Sequence, residues 1–321
     1  MNSSQEDLPV LGPGSPRKEF LFQIVLTVGL FLSIALVPLV GFFPGALTPA
    51  PTAIAVIRWG FPGAWLVPGC SAVIGALLLY LFNLPESIPY LLALLGMGAL
   101  LGYGLRSEWP AEKIVGFSSL FVLGMAGLFL ILVFSEAKDG MVALIEQDLQ
   151  TAISSALKEF GGSSLEIQEL QSKLVETVPM MVRTMPGVII SSILGISWLN
   201  LLVARRYCRT GSEPCQAEKL SLWKSPEFIV WFVVAGGLMV VLPVGGLKIP
   251  GINLLIVMGA IYFLQGLAIM AFYFERWKLP FVVKGFVYAV LFLQQFASMA
   301  TAALGLFDTW FDFRKLAKKQ A

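Results

Sequence analysis

Eight apolar runs without a charged residue recur along this chain, and they constrain the fold more than any other feature. The runs cover residues 20–43, 62–82, 88–105, 114–135, 184–204, 228–242, 249–274 and 285–307. A helix needs about 20 apolar residues to cross a hydrocarbon core of about 30 Å. Lipid offers no hydrogen-bond partner to a backbone group, and the runs lack the alternation of a barrel strand, so each is predicted to be a helix.

Composition places the chain among multi-pass membrane proteins. Hydrophobic residues make up 57% and charged residues 13% of 321 positions, whereas soluble domains average about 45–50% and about 25%. The formal net charge of +2 gives no reason to expect a nucleic-acid partner. We therefore predict an all-α polytopic bundle of about eight spans in contact with the lipid bilayer.

One long polar segment interrupts the runs and predicts an amphipathic helical hairpin over residues 136–183. Apolar residues recur there at spacings of three and four, which indicates one apolar stripe on a helix. Gly161 and Gly162 are expected to end the first helix, and Ser163 with Glu166 forms a capping box for the second. Pro179 and Pro186 are expected to separate the hairpin from the next span.

The hairpin divides the chain into five predicted regions. Residues 1–19 form a disordered N-terminal tail, and residues 20–135 form a first transmembrane group. Residues 136–183 form the extramembrane hairpin, and residues 184–307 form a second transmembrane group. Residues 308–321 form a basic C-terminal tail. Each transmembrane group is predicted to contain four spans.

The stretch 46–63, "ALTPAPTAIAVIRWGFPG", is apolar but interrupted by prolines. It is either a half-helix that dips into the bundle or an interfacial loop helix. With eight spans, both termini are cytoplasmic but Arg205, Arg206 and Arg209 lie outside, against the usual Lys/Arg bias. If the stretch crosses as a ninth span, those arginines move inside and the C-terminus moves out. The eight-span topology is the working prediction.

Catalytic, metal and cofactor motifs are missing from the sequence. The chain has no histidine, which removes the commonest general base and zinc ligand. Cys70, Cys208 and Cys215 show no metal-binding spacing and are expected to be free thiols. We therefore predict a protein that is not an enzyme and that carries no metal and no cofactor.

Polar residues inside the runs are the candidates for a ligand-binding site, because such residues are costly in lipid. The tentative set is Arg58, Asn200, Asn253, Gln265 and Gln294. Gln265 is the strongest candidate, since Gly266 permits close approach of a backbone or a ligand. The structural alternative for the amides is hydrogen bonding between helices. The alternative for Arg58 is snorkelling to lipid phosphate instead of holding an anion.

Charged residues also close the last run. Asp308 and Asp312 share a face at helical spacing, and Arg314 is placed to neutralise one of them. Phe307, Trp310, Phe311 and Phe313 surround them like an aromatic belt at the membrane surface. Gly98 and Gly102, in "GMGALLGYG", have the small-xxx-small spacing of closely packed helices.

Four stretches carry a resemblance to a family. These are "KEFGGSSLEIQELQSKL" running into "VRTMPGVIISSILGISWLNLLVARR", then "WKSPEFIVWFVV", "GINLLIVMGAIYFLQGLAIMAFYFERWKLP" and "LGLFDTWFDFRK". From about residue 20 onward the chain resembles the YybS-like family of bacterial multi-pass membrane proteins, a domain of unknown function. The resemblance implies an inner-membrane protein. The Pro/Gly-rich stretch 48–69 is also distantly similar to the substrate-binding membrane subunits of energy-coupling-factor transporters.

Two functional hypotheses follow. In the first, a transport-type protein binds a small solute between its two helical groups, near 48–62 and the seventh run. In the second, a non-catalytic membrane scaffold docks a protein partner through residues 138–178.

Overall fold

The computed structural model describes residues 16–60, 63–134, 140–161, 165–210 and 219–315, and the regular secondary structure of these ranges is helical, without a strand. Twelve α-helices follow one another in this part of the chain: α1 Pro16–Leu36, α2 Pro38–Gly45, α3 Pro49–Trp59, α4 Leu66–Leu81, α5 Ile88–Arg106, α6 Ala111–Phe134, α7 Met141–Gly161, α8 Leu165–Thr210, α9 Val230–Val241, α10 Lys248–Arg276, α11 Phe281–Leu293 and α12 Gln295–Phe311. Seven segments within the described ranges are long and apolar enough to cross a membrane, or eight when the bent pair α11–α12 counts as one. The predicted all-α polytopic bundle is confirmed. Most of the predicted tail 1–19 lies outside the described residues, although α1 already begins at Pro16.

The first predicted run, 20–43, is not one helix. Helix α1 ends at Leu36, and Val37 leaves the helical region with φ −134° and ψ 73°. This break has a local cause, since a residue before proline is pushed out of the helical conformation, and Pro38 follows. Helix α2 then folds back, and a Cβ at Gly41 would overlap the carbonyl of Ser33. The next candidate span therefore covers Val40–Trp59.

Helix α3 is the most enclosed helix of this part of the chain. Ala53, Ala55 and Val56 have no solvent exposure, and a Cβ at Gly98 or Gly102 of α5 would overlap the α3 backbone. The small residues of α5 thus let two helices pack closely, as their spacing predicts. The described residues of the stretch 46–63 are thus packed against α5, and residues 40–59 form a candidate span instead of a short loop helix.

The described residues form two compact units. The first unit contains the residues up to Ala126 and those from Ile196 to the end of α8, whereas the second contains Gly127–Gly195 and the residues from Lys219 onward. Five candidate spans precede the hairpin, because 40–59 adds one to the four that were predicted. The C-terminal end of α8 belongs with these earlier helices and not with the second predicted group.

Helix α8 runs for 46 residues without interruption, through Pro179 and Pro186. The prediction that these prolines separate the hairpin from the next span is therefore wrong. Arg183 Nε lies 3.8 Å from Glu146 Oε1 of α7, which places the two helices side by side. At about 1.5 Å per residue α8 is about 69 Å long, so a large part of it extends beyond a hydrocarbon core of about 30 Å. Ser163, of the predicted capping box, lies outside the described residues.

Two of the predicted spans in the second unit are not single helices of full length. Helix α9 has only 12 residues, fewer than a complete span needs. Helices α11 and α12 meet at an angle of 101°, with Gln294 in an extended conformation between them. Helix α10, with 29 residues, is the long straight element of this unit. Helix α12 continues to Phe311, beyond the predicted end of the run at 307.

The cysteines differ from one another. Cys70 is a free thiol, as expected. Cys208 is in a disulfide, so the expectation of a free thiol is wrong there. Cys215 lies outside the described residues.

Candidate functional site

A segment without α-helix, residues 219–226, lies along the C-terminal part of α10. Lys219 Nζ is 3.7 Å from Glu275 Oε2. Farther along, the backbone N–H and the hydroxyl of Ser225 donate to Gln265 Oε1 at 3.3 and 2.5 Å. Ten residues separate Gln265 from Glu275, so the segment runs about 15 Å along the helix.

An α10 helix centred in the bilayer would place this contact inside the membrane. The 29 residues of α10 span about 43 Å, about 13 Å more than a typical hydrocarbon core. Gln265 lies about 17 Å from the C-terminal end of the helix. In a centred span it is therefore about 10 Å below the hydrocarbon surface. Irregular backbone at this depth requires hydrogen-bond partners from the protein.

Arg314 supplies those partners. Its Nη1 donates to the carbonyl oxygens of Ser221 and Trp223 at 2.8 and 2.9 Å. Its Nη2 donates to Asp308 Oδ2 at 2.8 Å, and neither charged side chain is exposed to solvent. A guanidinium has five N–H donors in a rigid fork, so one arginine satisfies two backbone carbonyls and a carboxylate together.

Gln265 joins this ion pair to the segment. Its Nε2 donates to Asp308 Oδ2 at 3.1 Å, while its Oε1 accepts from Ser225. The other carboxylate oxygen of Asp308 accepts from the backbone N–H of Phe313 at 2.9 Å. We call Ser225, Gln265, Asp308 and Arg314 the polar cluster. All four are buried.

Two glycines bring α10 and α12 together at the polar cluster. A Cβ at Gly266 would overlap the carbonyl of Thr301, and a Cβ at Gly305 would overlap that of Tyr262. The sequence predicted that Gly266 permits the close approach of a backbone or a ligand. In the structure, the backbone of α12 approaches it. Gln265 faces Asp308 across this crossing.

The polar cluster combines a buried carboxylate, a buried guanidinium and a buried amide, and it does not activate the hydroxyl of Ser225. The Ser225 hydroxyl donates to an amide oxygen, and an amide is not a general base. Within the described residues, Arg314 Nε has no hydrogen-bond partner, so one donor of a buried guanidinium is not satisfied. An unsatisfied buried donor is costly in the protein and is available to a ligand.

Arg58 does not face an open site. Its Nη1 lies 2.6 Å from Glu19 Oε2 of α1, and its guanidinium lies 6.0 Å from the centre of the Trp59 ring. Neither of the roles predicted for Arg58, anion binding and snorkelling to lipid phosphate, included an ion pair with an acidic side chain. The pair joins the beginning of α1 to the end of α3.

Asn200 makes a contact between helices in the first unit. Its Nδ2 donates to the carbonyl of Ala46 at 2.7 Å and to that of Ile196 at 2.8 Å. The side chain is completely buried. This geometry matches the structural alternative for an amide in a bundle.

Asn253 bridges two backbone groups of α8. Its Oδ1 accepts from the Gly187 N–H at 2.6 Å, and its Nδ2 donates to the Arg183 carbonyl at 2.9 Å. These groups are four residues apart and would bond to each other in a regular helix. The amide is thus inserted at the turn that contains Pro186, where it supplies partners to the backbone groups of Arg183 and Gly187.

Gln294 lies at the bend between α11 and α12, and its side chain is exposed. It does not face the interior of the second unit. Of the five predicted site residues, Gln265 is the one that the structure places in a buried network of charged side chains. Ser225 was missed, since nothing in its sequence context indicates a partner 40 residues away.

Comparison with known proteins gives one result. No curated protein and no solved structure matches this chain. Residues 25–309 match a family described as a predicted membrane protein, DUF2232. The match covers most of the chain and confirms the expected assignment to a membrane family of unknown function. This chain belongs to the DUF2232 family of predicted membrane proteins.

Proposed function

We propose that this chain is a transport-type protein of the bacterial inner membrane and not an enzyme, and that its polar cluster binds a small charged solute. One observation carries the proposal: the fully buried Asp308–Arg314 pair is bonded to the carbonyls of a segment without α-helix, residues 219–226. Ionisable groups at membrane depth are costly and commonly mark solute or ion pathways. Discontinuous helices form the binding sites of many secondary transporters.

The chemistry of the cluster favours a solute that carries a carboxylate. The planar guanidinium of Arg314 suits a carboxylate with two parallel hydrogen bonds, and its Nε–H has no partner among the described residues. A solute carboxylate would compete with Asp308 for Arg314. Asp308 would then be free to pair with an ammonium group, so a small zwitterion fits best.

A thermal-unfolding screen on the purified protein tests this proposal. The panel contains small zwitterions, carboxylates and amines at matched ionic strength. We expect at least one zwitterion or carboxylate to raise Tm, because a ligand that binds only the folded state stabilises it. The Gln265→Ala variant should lose the shift, whereas Asn200→Ala removes a buried amide of the first unit and should keep it. The proposal is contradicted if no compound of the panel raises Tm, or if the Gln265→Ala variant shows the same increase in Tm as the wild type.

The length of α8 supports a second candidate function, a membrane scaffold that docks a partner through residues 138–178. At about 69 Å, α8 is longer than a hydrocarbon core, and directly after the segment 138–178 the methionines Met180, Met181 and Met185 are 39–53% exposed. Exposed methionines suit adaptable protein contacts. A photocrosslinker at position 181 tests this, with the exposed Leu199 of the same helix as control. One discrete protein adduct from 181 alone supports docking, and lipid adducts from both positions refute it.

A further inference from the structure

An apolar groove opens between α4 and α5 of the first unit, with Phe121 of α6 at one wall. Its volume is about 560 Å³. The residues that line it carry no charged side chain and no side-chain amide. A groove of this composition offers nothing to a hydrophilic solute, but it suits a hydrocarbon chain.

Small residues create the depth of the groove. Gly69 and Ala72 of α4 and Gly96 and Ala99 of α5 line it. A Cβ at Gly69 would meet no atom within 4 Å, so the space above this glycine is empty. A larger side chain at Gly69 would fill the groove without a clash inside the protein.

The groove has the length of one leaflet. From Leu92 to Tyr103, both of which line it, α5 rises about 16 Å. This is about half of a hydrocarbon core of about 30 Å. In a span centred on Pro85–Arg106, the groove therefore runs from about 4 Å below one membrane surface to about 5 Å past the bilayer midplane, a depth that a single phospholipid chain reaches.

The outer end of the groove carries aromatic and cationic side chains. Trp65 and Tyr103 lie there and are 59% and 43% exposed, as expected of aromatic residues at a membrane interface. Arg106 follows Tyr103 by three residues, and its Nη1 donates to the Ile57 carbonyl at 3.1 Å. By contrast, the loop at the other end of α4 and α5, residues 82–87, has no lysine or arginine. Each end also carries one glutamate, Glu108 after Arg106 and Glu86 in the loop 82–87, so the two ends differ by Arg106. The Arg106 guanidinium complements an anionic head group.

From these observations we propose that the groove binds one acyl chain of an anionic phospholipid, with the head group at Arg106. The site uses residues of the first unit and is separate from the polar cluster. It therefore extends the proposed function and does not depend on it.

Lipid titration of the delipidated, purified protein tests the proposal by native mass spectrometry. The probes are dioleoyl phosphatidylglycerol and dioleoyl phosphatidylcholine, which share their chains. We expect one phosphatidylglycerol to bind in preference to phosphatidylcholine. The Gly69→Leu variant should weaken that binding by about tenfold or more, equivalent to about 1.4 kcal/mol. Arg106→Gln should reduce the preference for phosphatidylglycerol while the neutral lipid binds as before.

Gly124→Leu is the matched control. Gly124 is a helical glycine of α6 in the same unit, also without a neighbour within 4 Å of a Cβ, and it does not line the groove. Both substitutions replace glycine by a better helix former, and equal Tm values would show that both variants fold. The proposal is overturned if Gly69→Leu binds phosphatidylglycerol as tightly as the wild type. It is also overturned if Gly124→Leu loses as much affinity for this lipid as Gly69→Leu does. A change of oligomeric mass in Gly69→Leu without loss of lipid also overturns it, since the occupant would then be a protein helix.

Discussion

The guanidinium of Arg314 folds back onto the carboxylate of Asp308, six residues earlier, at a distance of 2.8 Å. The reversal takes place at Asp312, which has a left-handed conformation with φ 40° and ψ 59° directly after α12. Aspartate is one of the few residues that adopt this conformation readily. A short turn thus brings a cation to a carboxylate that no solvent reaches.

Removing the charge of one partner in this pair should destabilise the protein strongly. We expect Asp308→Asn to lower the free energy of unfolding by about 3–5 kcal/mol, because Arg314 is then left buried without its counter-ion. Thermal or denaturant unfolding in detergent measures the loss. A decrease below about 1 kcal/mol would show that water reaches the pair.

The pair Arg58–Glu19 provides the matched comparison. Its side chains are 22% and 31% exposed, so solvent screens it and Glu19→Gln should cost less than about 1 kcal/mol. The cost should shrink further as salt is raised, since exposed charges are screened by ions. An equal loss in Glu19→Gln and Asp308→Asn would contradict the difference in burial.

Removing both charges of the buried pair should cost less than the two single changes predict. Asp308→Asn combined with Arg314→Gln leaves no unpaired charge, and neutral pairs are tolerated better than a single buried ion. A double-mutant cycle on Tm should therefore show strong coupling between the positions. Additive losses would mean that the two side chains do not interact.

The crossing of α10 and α12 should tolerate no side chain at Gly266. A Cβ there would overlap the Thr301 carbonyl, and overpacking of this kind costs about 1–3 kcal/mol. Gly259 of the same helix has no neighbour within 4 Å of a Cβ, so Gly259→Ala should be neutral or stabilising by up to about 1 kcal/mol. Unfolding of the two alanine variants side by side checks this, and a neutral Gly266→Ala would contradict the close crossing.

Asn253 should control the local stability of α8 around Pro186. In Asn253→Ala, the Gly187 N–H and the Arg183 carbonyl lose their bridging amide. The loss should cost about 1–3 kcal/mol at the buried Gly187 and less at the Arg183 carbonyl, whose hydrogen bond is exposed. Hydrogen exchange at Gly187 should accelerate. The exposed Gln294 is the control, since Gln294→Ala should stay within about 0.5 kcal/mol of the wild type. Unchanged exchange at Gly187 would show that α8 supports itself there.

Helix type followed from the sequence because twenty apolar residues in lipid leave the backbone one main solution. The set of spans followed only in part, since 40–59 is an additional candidate span and the helix within 228–242 is too short for one. The boundaries were less certain where prolines occur. Pro38 ended a run that composition alone continued to residue 43, whereas Pro179 and Pro186 did not end α8. At Pro186, the amide of Asn253 bridges the backbone groups of the turn. Whether a proline stops a helix depends on such tertiary partners.

The same limit applies to the site. Gln265 and Gly266 were recognisable because an amide and a glycine stand out within an apolar run. Asp308 and Arg314 were also noticed, but their position after the last run indicated a membrane-surface belt and a basic tail. Their burial depends on the segment 219–226, whose carbonyls Arg314 satisfies. A periodic pattern does not predict which loop returns into the membrane.

The most direct test of the central claim, that the polar cluster serves a transport-type protein, is the reactivity of a cysteine at position 225 in intact membranes. Ser225 is only 3% exposed here. Transport requires the cluster to become accessible to water from one side, so Ser225→Cys should react with a membrane-impermeant thiol reagent above the wild-type background. Ser118→Cys, at a buried position of the first unit, should not react. If position 225 is as unreactive as position 118, the cluster is a permanent structural contact and the account is contradicted.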